Sequence, residues 1–235
     1  MKLICIIFIV LAAAAWGAAV YYKRKNRILL QKQEDYKLLT QQIIAAFAKT
    51  IDCKDSYTKG HSFRVAWYTS LLAEKLGCSE DRIEQYYDIA LLHDIGKMGI
   101  SDSILTKPTR LTDEEFSVIK NHPEKGYEIL SDISMFPDLA TGARYHHEQI
   151  DGGGYPLGLK DTEIPLVARI IAVADTFDAM ASSRAYRKRL STEAIIAELK
   201  RVKGKQLDST IVDFMLQIID EVNLSDMEPF EEYYR

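Results

Sequence analysis

The sequence predicts an all-α bundle preceded by a long apolar helix. No stretch shows sustained two-residue alternation between hairpin turns, apolar residues recur at helical spacing, and helix start and stop signals recur along the chain. No internal repeat is evident. At 235 residues with 47% hydrophobic side chains, the chain can bury the core of one generous domain and carry an appendage, but two ordinary domains are not expected.

The elements follow in order. Leu3 to Tyr22 is a run of 20 apolar, small or aromatic residues, which as a helix spans about 30 Å, the thickness of a bilayer core. Lys23-Arg24-Lys25-Asn26-Arg27 follows at once, with only Lys2 ahead, so the positive-inside rule places the body of the protein in the cytoplasm. The expectation is a single-pass inner-membrane anchor over residues 1–27. A cleaved signal peptide ending near Ala13-Ala14-Ala15 or Gly17-Ala18-Ala19 is the alternative, disfavoured by the length of the run and by the basic cluster. Residues 28–50 read as a linking helix, with Ile28, Leu29, Tyr36, Leu39, Ile43, Ile44 and Phe47 at helical spacing.

Residues 51–235 form the main domain. Phe63 to Leu76 is a helix ended by Gly77; Ser79 caps a helix through Leu92; Thr112 and Glu115 make a capping box ahead of Phe116 and Ile119. Ile164 to Met180 reads as a long buried helix with Pro165 in its first turn, and Ser191 and Asp208 cap two more.

Charge narrows the function. The first 27 residues hold five of the 30 basic groups and no acidic one, so the remainder, with 34 acidic residues, carries a net charge of −9. Such a body does not suit binding to DNA or RNA, which requires a basic surface. A phosphate ligand has to be held locally. Cys5, Cys53 and Cys78 are odd in number and show no CxxC spacing, which argues against a disulfide framework or a zinc knuckle and suits a reducing compartment.

The histidines carry the chemistry. All five lie in short motifs with acidic or glycine partners: His61 in TKGHSFRV, His93 in LLHDIGKMGI, His122 in KNHPEKG, His146 and His147 in YHHEQIDGGGYP. Imidazole and carboxylate are ligands that first-row divalent metals prefer. If HDIGK is helical, Lys97 lies over His93 and Asp94. Asp175 stands in the apolar run IIAVADTFDAM, where an unpaired carboxylate is costly unless a cation meets it; Asp178 could equally be a structural hydrogen-bonding partner. Arg184 and Arg187, three apart, suit phosphate oxygens or the edge of guanine.

Together these blocks resemble the HD-GYP phosphodiesterases of the HD superfamily, from about Ser56 to about Phe214. The pair is His93-Asp94 and the tripeptide is Gly154-Tyr155-Pro156, with ADTFDAMASSRAYR as a third block. The resemblance implies an HD-domain helical bundle in which His61, His93, Asp94 and Asp175 hold one metal and His122, His146 and His147 a second, with Asp94 bridging. It further implies catalytic roles for Asp94 and Lys97, substrate contacts from Gly154, Tyr155, Arg184 and Arg187, and two iron or manganese ions. The expected reaction is hydrolysis of cyclic di-GMP to linear pGpG and on to GMP. The same chemistry on cyclic GMP-AMP or another phosphate ester, and a non-catalytic dinucleotide sensor, are the alternatives. A second copy of the chain, and a diguanylate cyclase or other signalling protein, are candidate partners. Tyr57 stands where some members place a glutamate for a third metal, and Ser183 and Ala185 depart from the usual residues beside the arginines.

Overall fold

Ten α-helices and two 3₁₀ turns make up the regular structure among the described residues, with no strand beyond a single bridge between Lys203 and Leu207. The structure is a computed structural model that describes residues 1–54, 60–107, 109–134, 136, 138–182 and 189–221, with backbone alone at residues 2, 5, 8, 9, 10 and 12. The all-α expectation holds. The chain divides into two units, Met1–Ile43 and Ile44–Arg235.

The first unit belongs to α1 (Lys2–Lys54), which no proline interrupts and in which Gly17 is the one glycine. Its apolar side chains, among them Leu3, Ile6, Leu11, Trp16 and Val20, are exposed. Among the described residues no helix is long and apolar enough to cross a membrane, so the expected transmembrane helix is not recovered as a span. The described side chains of the run are rich in alanine, and its most apolar stretch, Phe8-Ile9-Val10, lies outside them.

In the second unit the described helices are α2 (His61–Lys75), α3 (Glu80–Leu91), the short α4 (Asp102–Leu105), α5 (Asp113–Lys120), α6 (His122–Leu130), α7 (Leu139–Tyr145), α8 (Leu166–Ala181), α9 (Thr192–Val202) and α10 (Ser209–Glu221). α8 is apolar around most of its circumference, the mark of a helix with protein on every side. It packs on α2, α3, α7, α9 and α10, and Ile170, Ile171, Val173, Ala174 and Phe177 lose all contact with water.

The end signals act much as the sequence predicts. Gly77, at φ 76°, closes α2 with Gly77 N–H on the Glu74 carbonyl and Cys78 N–H on the Ala73 carbonyl, a Schellman arrangement. Thr112 Oγ1 accepts from Glu115 N–H while the Glu115 carboxylate accepts from Thr112 N–H. Ser191 accepts from Ala194 N–H, and Asp208 from Thr210 and Ile211 N–H. Two details differ: Ser79 precedes α3 without a side-chain capping bond, and Pro165 is the extended residue before α8, at ψ 142°, so the helix begins at Leu166.

Candidate metal centre

Four histidines from four separate places in the chain aim Nε2 at the two oxygens of one buried carboxylate. On Asp94 Oδ2, His61 Nε2 lies at 3.7 Å and His93 Nε2 at 3.4 Å. On Oδ1, His122 Nε2 lies at 3.2 Å and His146 Nε2 at 3.8 Å. Lys97 Nζ completes the Oδ2 side at 2.6 Å. Asp175, in the middle of α8, brings Oδ1 to 3.4 Å from His61 Nε2. His61, His93 and Asp94 form one cluster of donor atoms within 4.8 Å of one another, and His122, His146 and His147 a second. Of the seven residues expected as ligands, four histidines thus meet Asp94, Asp175 is reached through His61, and His147 joins through the second cluster.

HDIGK is not a stretch of α-helix. His93 and Asp94 lie in the turn after α3, and Ile95–Gly99 is a 3₁₀ turn. Residues i and i+3 eclipse in such a turn, so Lys97 still reaches Asp94. Gly96 is what lets this turn press on α6: a Cβ there would overlap the His122 carbonyl oxygen and stand 2.6 Å from Gly126 N. Gly96 has to be glycine or leave the backbones apart, whereas a Cβ on Gly126 would stand 3.4 Å from Gly96 N; the glycine within the HDIGK motif is the signal that could have revealed the crossing.

The ring orientations are fixed from behind. Nδ1 of His93 bonds the Ala90 carbonyl at 2.7 Å, Nδ1 of His122 the Ile119 carbonyl at 2.8 Å, and Nδ1 of His146 the Ala143 carbonyl at 3.0 Å. Nδ1 of His61 bonds Asp178 Oδ2 at 2.8 Å. These partners only accept, so each Nδ1 carries a proton and Nε2 is the ring atom directed at the centre. His93 Nε2 is buried without a hydrogen-bond partner, and the Nε2 atoms of His122 and His146 face each other at 3.3 Å. Two lone pairs so close, beside an orphaned buried nitrogen, are a fit for a bound cation.

The two sides differ electrically. Burial disfavours a charged His93, but Asp94, then Asp175 and the Ala90 carbonyl, outweigh it and lift its pKa to about 9. Burial pushes His146 well below its ordinary value, helped by the rings of His147, His93 and His122; burial and His122 take His147 down to about 3. Asp94 would be raised by burial, yet Lys97, His93 and His122 hold it well below the usual carboxylate range.

The Tyr155 ring stacks on His147 at 4.8 Å between centroids, and Lys120 Nζ lies 5.3 Å from the centroid of the same Tyr155 ring. Burial, then Asp94 and Asp175, raise the Tyr155 pKa, so its hydroxyl keeps its proton and can donate. Gly154 permits a close approach: a Cβ there would stand 2.5 Å from Glu148 Cα and 2.6 Å from the His147 carbonyl oxygen. Sequence reasoning passed over Glu148. Its buried carboxylate accepts from Leu157 N–H at 2.7 Å, Gly158 N–H at 3.1 Å and Leu159 N–H at 3.0 Å, closing the loop that carries Tyr155. Arg184, Arg187, Ser183, Ala185 and Tyr57 lie outside the described residues.

Comparison with known proteins places the chain among relatives. A family model described as an HD domain matches residues 45–211. A cyclic di-GMP phosphodiesterase of Thermotoga maritima is 39% identical over 191 residues, 80% of this chain and 52% of that protein. A 3'3'-cGAMP-specific phosphodiesterase 3 of Vibrio cholerae serotype O1 is 46% identical over 156 residues, 66% of this chain and 34% of that protein. The crystal structure of a cyclic GMP-AMP-specific phosphodiesterase of V. cholerae superposes with a TM-score of 0.60 at 18% identity, over 77% of this chain and 49% of that one, a likeness of fold. The chain spans about half the length, or less, of these curated relatives.

Proposed function

The chain belongs to the HD domain family, and on that footing we propose that the centre around Asp94 takes two divalent ions, iron or manganese, and hydrolyses a cyclic dinucleotide. Cyclic di-GMP is the first candidate substrate, opened to linear pGpG and cut further to GMP. The observation that carries the reading is the division of four imidazole Nε2 atoms between the two oxygens of Asp94. In this reading His61, His93, Asp94 and Asp175 hold one ion, His122, His146 and His147 the other, and Asp94 touches both. What such a pair of ions supplies is acidification of water and neutralisation of phosphoryl charge.

The protein groups do the rest. The Lys97 ammonium, beside Asp94, offers a cation to a non-bridging phosphate oxygen. Tyr155 presents a ring face for a base and a hydroxyl that donates. Arg184 and Arg187 grip phosphate or guanine. Gly154 acts by letting the tyrosine loop close. A sensor that only binds the dinucleotide has no need of this complete donor set. Cyclic GMP-AMP is the second candidate substrate, supported by the 46% identity to a relative named for it.

The proposal extends to the N-terminus: a single-pass anchor in the inner membrane, catalytic unit in the cytoplasm, supported by the apolar run Leu3 to Tyr22 and the basic cluster Lys23 to Arg27. A mature chain starting near Ala19 in an extracytoplasmic fraction would overturn it. For the activity, the full chain purified without oxygen should carry about two metal ions, Tyr57 replacing the third-metal glutamate, and should convert cyclic di-GMP to pGpG. Metal-loaded chain that leaves cyclic di-GMP and cyclic GMP-AMP intact refutes the reading.

A further inference from the structure

Two carboxylates one turn apart on α8 address opposite edges of the same imidazole. Asp175 Oδ1 stands 3.4 Å from His61 Nε2, on the side of the centre, and Asp178 Oδ2 stands 2.8 Å from His61 Nδ1, behind it. Asp178 is itself immobilised. Arg64, one turn after His61 on α2, donates from Nε to Oδ1 at 2.6 Å and from Nη2 to Oδ2 at 3.0 Å, and the Asp178 side chain is 1% exposed. Both oxygens are thus committed, and the acceptor for His61 cannot rotate away.

The other side of the centre is made differently. His122 and His146 lean on neutral backbone carbonyls, and the donor cluster they form with His147 contains no carboxylate among the described residues. The carboxylate of Glu148, next in sequence, is turned to the N–H groups of Leu157, Gly158 and Leu159. A cation on the His61 side meets Asp94 Oδ2, which it shares with the Lys97 ammonium, together with Asp175 and a ligand whose basicity is raised by a carboxylate behind it. On the other side it meets three imidazoles and the remaining oxygen of Asp94. Hydrogen bonds to a carboxylate are stronger than those to a carbonyl, and such outer partners change metal affinity by about 10- to 100-fold.

Resting on the metal-centre reading above, we infer that the two positions load unequally and in order. Asp178, clamped by Arg64, is a positioning residue that makes the His61 side the tight, first-filled position, and the three-histidine side is the exchangeable one. Metal supply then regulates the enzyme through the second position alone, because a chain short of metal still holds one ion.

The test is Mn(II) titration of the full chain, in detergent and stripped of metal by a chelator, followed by calorimetry and by electron paramagnetic resonance. Two steps at least about tenfold apart in Kd are expected, with an isolated-ion spectrum at one equivalent and a spin-coupled one at two. Asp178→Asn should weaken the tight step by about 10- to 100-fold and move the weak step by less than about threefold. His147→Gln should abolish the weak step and spare the tight one, and it decides the matter if Asp178→Asn does not fold. Two equal steps, a weak step that follows Asp178→Asn, or a tight step lost in His147→Gln overturns the inference alone. Wild-type chain that binds no Mn(II) overturns the metal reading and this inference with it.

Discussion

The turn from His93 to Gly99 is closed by backbone pressed on backbone, whereas the loop from His147 to Leu159 is closed by one carboxylate. Gly96 leaves no room even for a methyl group against His122, and the turn is buried as far as Gly96. The loop is half-exposed, and Glu148 draws its far end back through three N–H bonds. The first segment faces the proposed metals and cannot adjust. The second carries the tyrosine, and its own close approach, Gly154 against the backbone of His147 to Gln149, lies within the loop itself. Damage to the two should therefore be distinguishable: metal and fold fail together in the turn, and substrate grip fails first in the loop beyond His147.

The largest expected effect comes from the residue at the head of the turn. Asp94→Ala removes the carboxylate that both halves share, so metal content should collapse and kcat/KM fall on the order of a thousandfold, about 4 kcal/mol. Elemental analysis with turnover measures both; normal values for the variant would dissolve the proposed centre.

A direct contrast sets Gly96→Ala against Gly154→Ala. The added methyl at Gly96 meets a carbonyl and an amide of α6 that have nowhere to go, at a cost of about 3 kcal/mol and a Tm lower by roughly 6–12 °C, with metal lost. At Gly154 the added methyl would overlap Gln149 N and stand 2.5 Å from Glu148 Cα, backbone of its own loop, so a stability loss of about 1–3 kcal/mol is expected while most of the metal is kept. Equal metal loss in the two variants would erase the contrast drawn here.

In metal-free chain the two segments should also respond to pH with opposite sign. The His93 pKa, about 9, lies above its ordinary 6.5, so its proton stabilises the fold fully below pH 6.5 and that gain, about 3 kcal/mol, disappears as pH rises through 9. His147, at about 3, lies below 6.5, so stability present above pH 6.5 is lost as acid protonates the unfolded chain first. Melting curves of chelated protein should decline on both limbs, with His93→Gln flattening the alkaline one and His147→Gln the acid one. A pH-independent Tm in wild type would contradict both assignments.

The last contrast is Glu148→Gln, whose effect is confined to the loop. One oxygen still accepts, but the charge is gone, and loss of a charged acceptor is worth about 1.5–3 kcal/mol. The Michaelis constant for the dinucleotide should rise about tenfold at unchanged metal content. A change in metal content, with the Michaelis constant steady, would assign Glu148 to the metals instead of the loop.

Helix ends and ligand types were legible in the sequence because their signals are local: Gly77 after the last turn of α2, Thr112 with Glu115, a histidine in every motif. The turn at His93 was read as helix because i,i+3 proximity is common to α and 3₁₀ geometry, and only the crossing with α6 excludes the former. Glu148 gave no sign, since its partners lie 9 to 11 residues ahead and belong to no periodic pattern. The choice between Asp175 and Asp178 depended on which edge of His61 each would meet, a relation between two helices 114 to 117 residues apart in the chain.

Three of the histidines share one more property. His93, His122 and His146 each follow the end of a helix, α3, α5 and α7, and each uses a carbonyl of that helix's last turn, three residues back, as its Nδ1 acceptor. Last-turn carbonyls have no partner within their own helix. The aim of each ring is consequently tied to the fraying of a few residues. In a loaded centre, metal release would follow the opening of those last turns, a local event that precedes global unfolding. The residence time of an ion on the His122 and His146 side would then be a clock set by the ends of α5 and α7.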